Sequence, residues 1–165
     1  MIAAAKSHLL AQLSTRDLPG PAGMSTAATD RQAALFLWET VDGRFCDGSA
    51  MANGGAITTT CTAAPGDTAF SSHPTVIRLV SIAMIRQHHV IGADRETVLS
   101  VTCNGTPLAL RWLASVLHGR RPLYAFDLPA QTGGRVTVTV SRANTIATEH
   151  VNLIWKVAKG RPTCR

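Results

Sequence analysis

The segment Val136-Thr137-Val138-Thr139-Val140 alternates apolar and hydroxyl side chains at a period of two. A strand places successive side chains on opposite faces, so this pattern puts valines into a core and threonines toward water. The alternation resumes as Val151, Leu153, Trp155, Val157, which predicts a second strand over Val151 to Ala158 with Trp155 facing inward. A layer wet on one side is characteristic of antiparallel sheets. Scaffold is all it specifies, because function resides in particular side chains.

Further strands are expected at Ala33 to Thr40, Ile57 to Cys61, Val76 to Arg86, Thr97 to Cys103 and Leu123 to Leu128. Asn104-Gly105, Pro129 and Gly133-Gly134 read as the punctuation between them. Leu108 to Leu117 fits both periods, and the stripe Ala109, Trp112, Leu113, Val116, Leu117 favours a short helix ending at His118-Gly119. Near the start, Ile2, Ala5, Leu9, Leu10 and Leu13 share one face of a helix over residues 2–13. Ser14 to Asp30, with Leu18-Pro19-Gly20-Pro21, reads as an extended arm. Residues 41–74 are rich in Gly, Asn and Pro, and Ile57 to Cys61 is the one strand-like piece in them. The expected fold is therefore mainly β: a single-domain antiparallel sandwich, Ig-like or jelly-roll, over residues 31–165, preceded by a helix and arm over residues 1–30.

A chain of 165 residues with 45% hydrophobic and 16% charged residues can bury a genuine core and lies far from the composition of disordered chains. Its longest apolar tract, Val76 to Ile91, is broken by Arg78 and Arg86, so no membrane partner is expected. Lys6 and His8 split the apolar start, which argues against a signal peptide and for synthesis in the cytoplasm. The net charge of +6 comes from thirteen Arg and three Lys, scattered apart from Arg120-Arg121 and the tail Lys156, Lys159, Arg161, Arg165. No nucleic-acid motif accompanies that charge, so a nucleic-acid partner is not expected. Without a secretory signal, Cys46, Cys61, Cys103 and Cys164 are expected as free thiols, Cys103 in a strand; a Cys46–Cys61 bridge closing a short loop is the alternative.

Candidate chemistry is sparse. His88-His89 is expected on the loop before Thr97, and adjacent strand residues diverge, so a zinc site would need His73 or Cys61 as well. Ser71-Ser72-His73 lacks any nucleophile signature and reads as a turn before Pro74. Glu39, Asp42 and Asp47 gather around Trp38 and Phe45, yet Asp42-Gly43 and Asp47-Gly48 read as turns. Asn104-Gly105-Thr106 satisfies the glycosylation pattern. No phosphate loop or cofactor motif occurs, and no cofactor is expected. The candidate ligand or interface contacts are Trp38, Trp112, Arg120 and Arg121. Together these features favour a non-enzymatic structural protein that assembles with other protein subunits through its arm and loops. A virion coat, decoration or tail component is the nearest architectural analogy. A carbohydrate-binding module using Trp38 or Trp112, or a small hydrolase or zinc enzyme built on the histidines, are the alternatives.

Overall fold

A computed structural model describes residues 1–63, 75–83, 86–92, 95–153 and 155–165, with the backbone alone over residues 75–83 and at residue 86. The expected Ser71-Ser72-His73 turn and the site residue His73 lie outside them. The chain forms two compact units, Met1–Ala69 and Phe70–Arg165. It is mainly β with one N-terminal helix, as its alternation requires, and none of its three sheets is closed.

In the first unit, helix α1 (Ile2–Gln12) buries Ala5 and Leu9, while Ile2 at its start is exposed. It ends where Leu13 turns extended. A single 3₁₀ turn (Thr15–Asp17) leads into β1 (Pro19–Thr29), β2 (Ala33–Thr40), β3 (Phe45–Met51) and β4 (Ile57–Cys61), an antiparallel meander in that order. The expected arm is extended, but β1 is hydrogen-bonded to β2 rather than lying free. The expected Asp42-Gly43 turn is present, with Gly43 at φ 79°. Asp47-Gly48 is no turn: it lies within β3, between Leu37-Phe36 of β2 and Thr60-Thr59 of β4.

Gly48 shows why composition misled there. A Cβ on it would stand 2.9 Å from the Thr58 carbonyl oxygen and 3.1 Å from Leu9 Cδ1. The glycine is the seat on which α1 meets the sheet, in a cluster with Phe36, Trp38 and Cys46. Gly48→Ala is accordingly expected to cost about 1–3 kcal/mol through overpacking, measured as a lower urea midpoint with Trp38 fluorescence as the probe. An unchanged midpoint would show that the helix does not rest there.

The second unit contains two sheets. One has the order β5 (Thr75–Ala83), β6 (Arg86–Gly92), β10 (Arg121–Pro129), β9 (Arg111–Val116). The other runs β12 (Thr145–Asn152), β11 (Gly133–Arg142), β7 (Thr97–Cys103), β8 (Thr106–Pro107), and the short β13 (Thr163–Cys164) adds in parallel to β11. Ile91, Phe126 and Leu128 of the first share one core with Val101, Val136, Val138 and Val140 of the second. The opening valines are inward, as expected.

Three expectations are overturned. The helix expected at 108–117 is β9, because Leu117 and His118 adopt φ 55° and 56° and turn the chain back onto β10. The strand expected over Val76 to Arg86 stops at Ala83, and a new strand begins at Arg86, so His88-His89 lies in β6 instead of a loop. The strand expected at Val151 to Ala158 is shifted toward the N-terminus. Ala143 and Asn144, at φ 44° and 65°, make a two-residue turn that fixes Arg142 opposite Thr145 and Arg135 opposite Asn152. Beyond Asn152 the ladder ends, leaving Trp155 42% exposed and Val157 62% exposed, not in the core.

Candidate functional site

Tertiary pairing gathers titratable side chains on β6, β9 and β10 that are far apart in sequence. His88 stands opposite Asp127 in the ladder, and its Nδ1 lies 2.6 Å from Asp127 Oδ1. A carboxylate only accepts, so Nδ1 carries the hydrogen of this contact and the ring is held in one orientation. Arg111 Nη2 is 3.6 Å from the same oxygen. His88 is buried, and its Nε2 has no hydrogen-bond partner among the described residues.

His89 points to the other face, as strand geometry demands, opposite Phe126. The two rings stack with centroids 4.9 Å apart and planes 4° from parallel. Burial pushes the His89 imidazole down to about 4, against a smaller upward pull from the Asp127 carboxylate. The two histidines expected on a loop are therefore buried strand residues. Chemically, His88 is an imidazole oriented by an acid, the arrangement used by general bases and metal ligands. Among the described residues it joins two strands and contacts no nucleophile.

The remaining sequence candidates separate. Trp38 is buried, and its Nε1 donates to the Asp17 carbonyl at 2.7 Å, so it is a core residue and not a ligand contact. Trp112 is 62% exposed on β9. Arg120 is exposed in the turn before β10, whereas Arg121 is wholly buried, its Nη1 donating to the Gly92 carbonyl. The two arginines do not form one patch.

Sequence reading missed an ionic cluster. Arg44, buried in β3's approach, donates through Nε to both oxygens of Asp42 at 2.9 and 3.0 Å, and through Nη1 to Asp17 Oδ1 at 2.9 Å. Its Nη2 reaches the Arg16 carbonyl. Hydrogen bonds from Thr40 and then Arg44 hold the Asp42 carboxyl down to about 2. The local string Thr40-Val41-Asp42-Gly43-Arg44 carried a signal for this, since an acid and an arginine flank a turn glycine. Of the other acids expected nearby, Asp47 is buried within β3 and Glu39 lies in β2. A second cluster joins Arg142 to Glu96 and Glu149.

All four cysteines are paired, correcting the expected free thiols: Cys46 with Cys61, and Cys103 with Cys164. The first pair is set by register, Cys46 lying opposite Cys61 across β3 and β4 with Cα atoms 4.1 Å apart. An oxygen of Asp17 and both of these sulfurs lie within 4.8 Å of one another. Beside the second disulfide is a shallow cavity of about 370 Å³ lined by Arg135, Asn152, Val157, Thr163 and Arg165. Asn104, which matches the glycosylation pattern, is held by the chain itself. Its Nδ2 donates to the Thr163 carbonyl and its Oδ1 accepts from the Arg165 amide. No helix among the described residues is long and apolar enough to cross a membrane. No protein-family model, no curated protein and no solved structure matches the chain.

Proposed function

We propose that the chain is a non-catalytic structural module that assembles with a second copy of itself by joining sheets edge to edge along β12. The observation that carries this reading is β12 itself. It is an eight-residue edge strand in uninterrupted register with β11, with no proline, glycine or lysine and with Ile146 68% exposed. Edge strands of soluble proteins are ordinarily blunted by such residues or by bulges. β9, one of the two edges of the other sheet, is blunted by a bulge, with a register shift at Leu113, and carries the charged Arg111. A two-fold axis at Thr148 would set Ile146 against His150 and Ala147 against Glu149, opposing no like charges.

The order β5-β6-β10-β9 facing β12-β11-β7-β8 corresponds to the A-B-E-D and G-F-C-C′ order of Ig-like sandwiches, which favours that type over a jelly roll for the second unit. Two disulfides suit an oxidising compartment, which supports a role for the module outside the reducing cytoplasm. A virion component is the narrowest form of this reading.

Size-exclusion chromatography with light scattering on the oxidised chain tests it. A dimer or larger mass is expected, falling to a monomer in Ile146→Lys; a wild-type monomer at every concentration would count decisively against assembly. Exposed Trp112 supports a second reading, carbohydrate binding. Glycan-array binding that disappears in Trp112→Ala would move the assignment there.

A further inference from the structure

We infer that when the Cys46–Cys61 bond is reduced, Cys46, Cys61 and Asp17 form a three-ligand site for a thiophilic divalent cation such as zinc. Three observations converge on it. The two sulfurs and an Asp17 oxygen already lie within 4.8 Å of one another. Zinc bound by two thiolates at about 2.3 Å in a tetrahedron separates them by about 3.8 Å, so side-chain rotation at directly opposed residues suffices.

The Asp17 carboxylate is held by Arg44 Nη1 on Oδ1 and by Ser14 Oγ at 2.7 Å on Oδ2. Each oxygen keeps a lone pair, and hydrogen-bonded carboxylates of this kind are what metal sites use to fix their ligands. Charge also closes. Two thiolates, one carboxylate and a divalent cation sum to one negative charge, Asp42 beside them adds a second, and the Arg44 and Arg16 guanidiniums supply two positive charges. Cys46 is fully buried, whereas Cys61 and Asp17 are partly exposed, so a metal and a water as fourth ligand can enter from the side of β4, the edge of its sheet.

The reaction balances with a dithiol reductant. The reductant thiolate attacks one cysteine sulfur, the second reductant thiol closes to a disulfide, and the chain gains two electrons and two protons as two thiols. Metal binding then releases those two protons. Disulfide and metal are thus alternative states of one site.

Cobalt(II) is the probe, added to the full chain after reduction with a phosphine and removal of the reductant. One cobalt per chain is expected, with sulfur-to-cobalt charge transfer in the near ultraviolet and the visible bands of tetrahedral cobalt. Cys46→Ser and Cys61→Ser should each abolish the signal, and Asp17→Asn should weaken zinc, measured by competition with a chromophoric chelator, by about 10–100-fold. The proposal is overturned if the reduced chain shows no cobalt–thiolate band, whether or not it stays folded. It is equally overturned if Cys46→Ser leaves the band intact, assigning it to Cys103 and Cys164, or if Asp17→Asn leaves the affinity unchanged.

Discussion

Replacing Cys103 and Cys164 together by alanine lowers the unfolding free energy by about 4 kcal/mol, the chain-entropy value for a loop of this size. The two residues are 61 apart in sequence, so the crosslink removes about 1 kcal/mol more freedom from the unfolded chain than the 15-residue separation of Cys46 and Cys61 does. Among the described residues, the C-terminal segment is also fastened by short pairing and side-chain contacts. β13 contributes two residue pairs to β11, and Asn104 adds two hydrogen bonds. The contact is nevertheless tight, because a Cβ on Gly134 would stand 1.9 Å from the Cys164 carbonyl oxygen, and Gly134 sits at φ 88°. Cys164 is buried in the shared core of the second unit, so the alanine pair also loses packing there. Urea unfolding of the oxidised wild type and the double variant measures the difference. A loss below about 1 kcal/mol would mean that the segment is held by its pairing with β11 and Asn104.

The second large effect concerns acid. The His89 imidazole is held down to about 4 by burial, from an ordinary value of 6.5. Between those two values the unfolded chain binds a proton that the folded chain refuses, so stability falls as pH falls. The contribution is complete above pH 6.5, and the fall is nearly finished at pH 4, where it reaches about 3 kcal/mol. His89→Leu keeps an apolar side chain against Phe126 and should flatten this window. The Asp42 carboxyl, held at about 2, loses its stabilising charge only at lower pH, which separates the two effects. Urea midpoints at pH 7, 5.5 and 4.5 for both proteins decide the matter; parallel curves would show that His89 is not the group being titrated.

How much of this was legible in the chain can be argued residue by residue. The valines of 136–140 were, because a period of two belongs to the strand alone and needs no knowledge of its partner. Trp155 was misread although it continues the same phase, because the turn at Ala143-Asn144, where alanine is seldom found at positive φ although asparagine is, set the register of β12 and ended it early. The segment 108–117 was misread because ten residues of mixed period do not separate a helix from an edge strand until the partner strand is known. The cysteine pairs and the His88–Asp127 contact depend on register across 15, 61 and 39 positions, and no local pattern encodes such distances. Gly48 looked like a turn because the reason for it, Leu9, sits 39 positions away. Arg44 was the opposite case, a cluster with a local signature passed over in favour of the acids alone.

Backbone hydrogen exchange over Thr145–Asn152 at two protein concentrations tests assembly through β12 most directly. Pairing of two copies along this edge predicts that the outward amides of β12 become protected as concentration rises, with β11 unchanged, and that Ile146→Lys cancels the protection. Exchange along β12 that is indifferent to concentration, in a chain that stays folded, would contradict it.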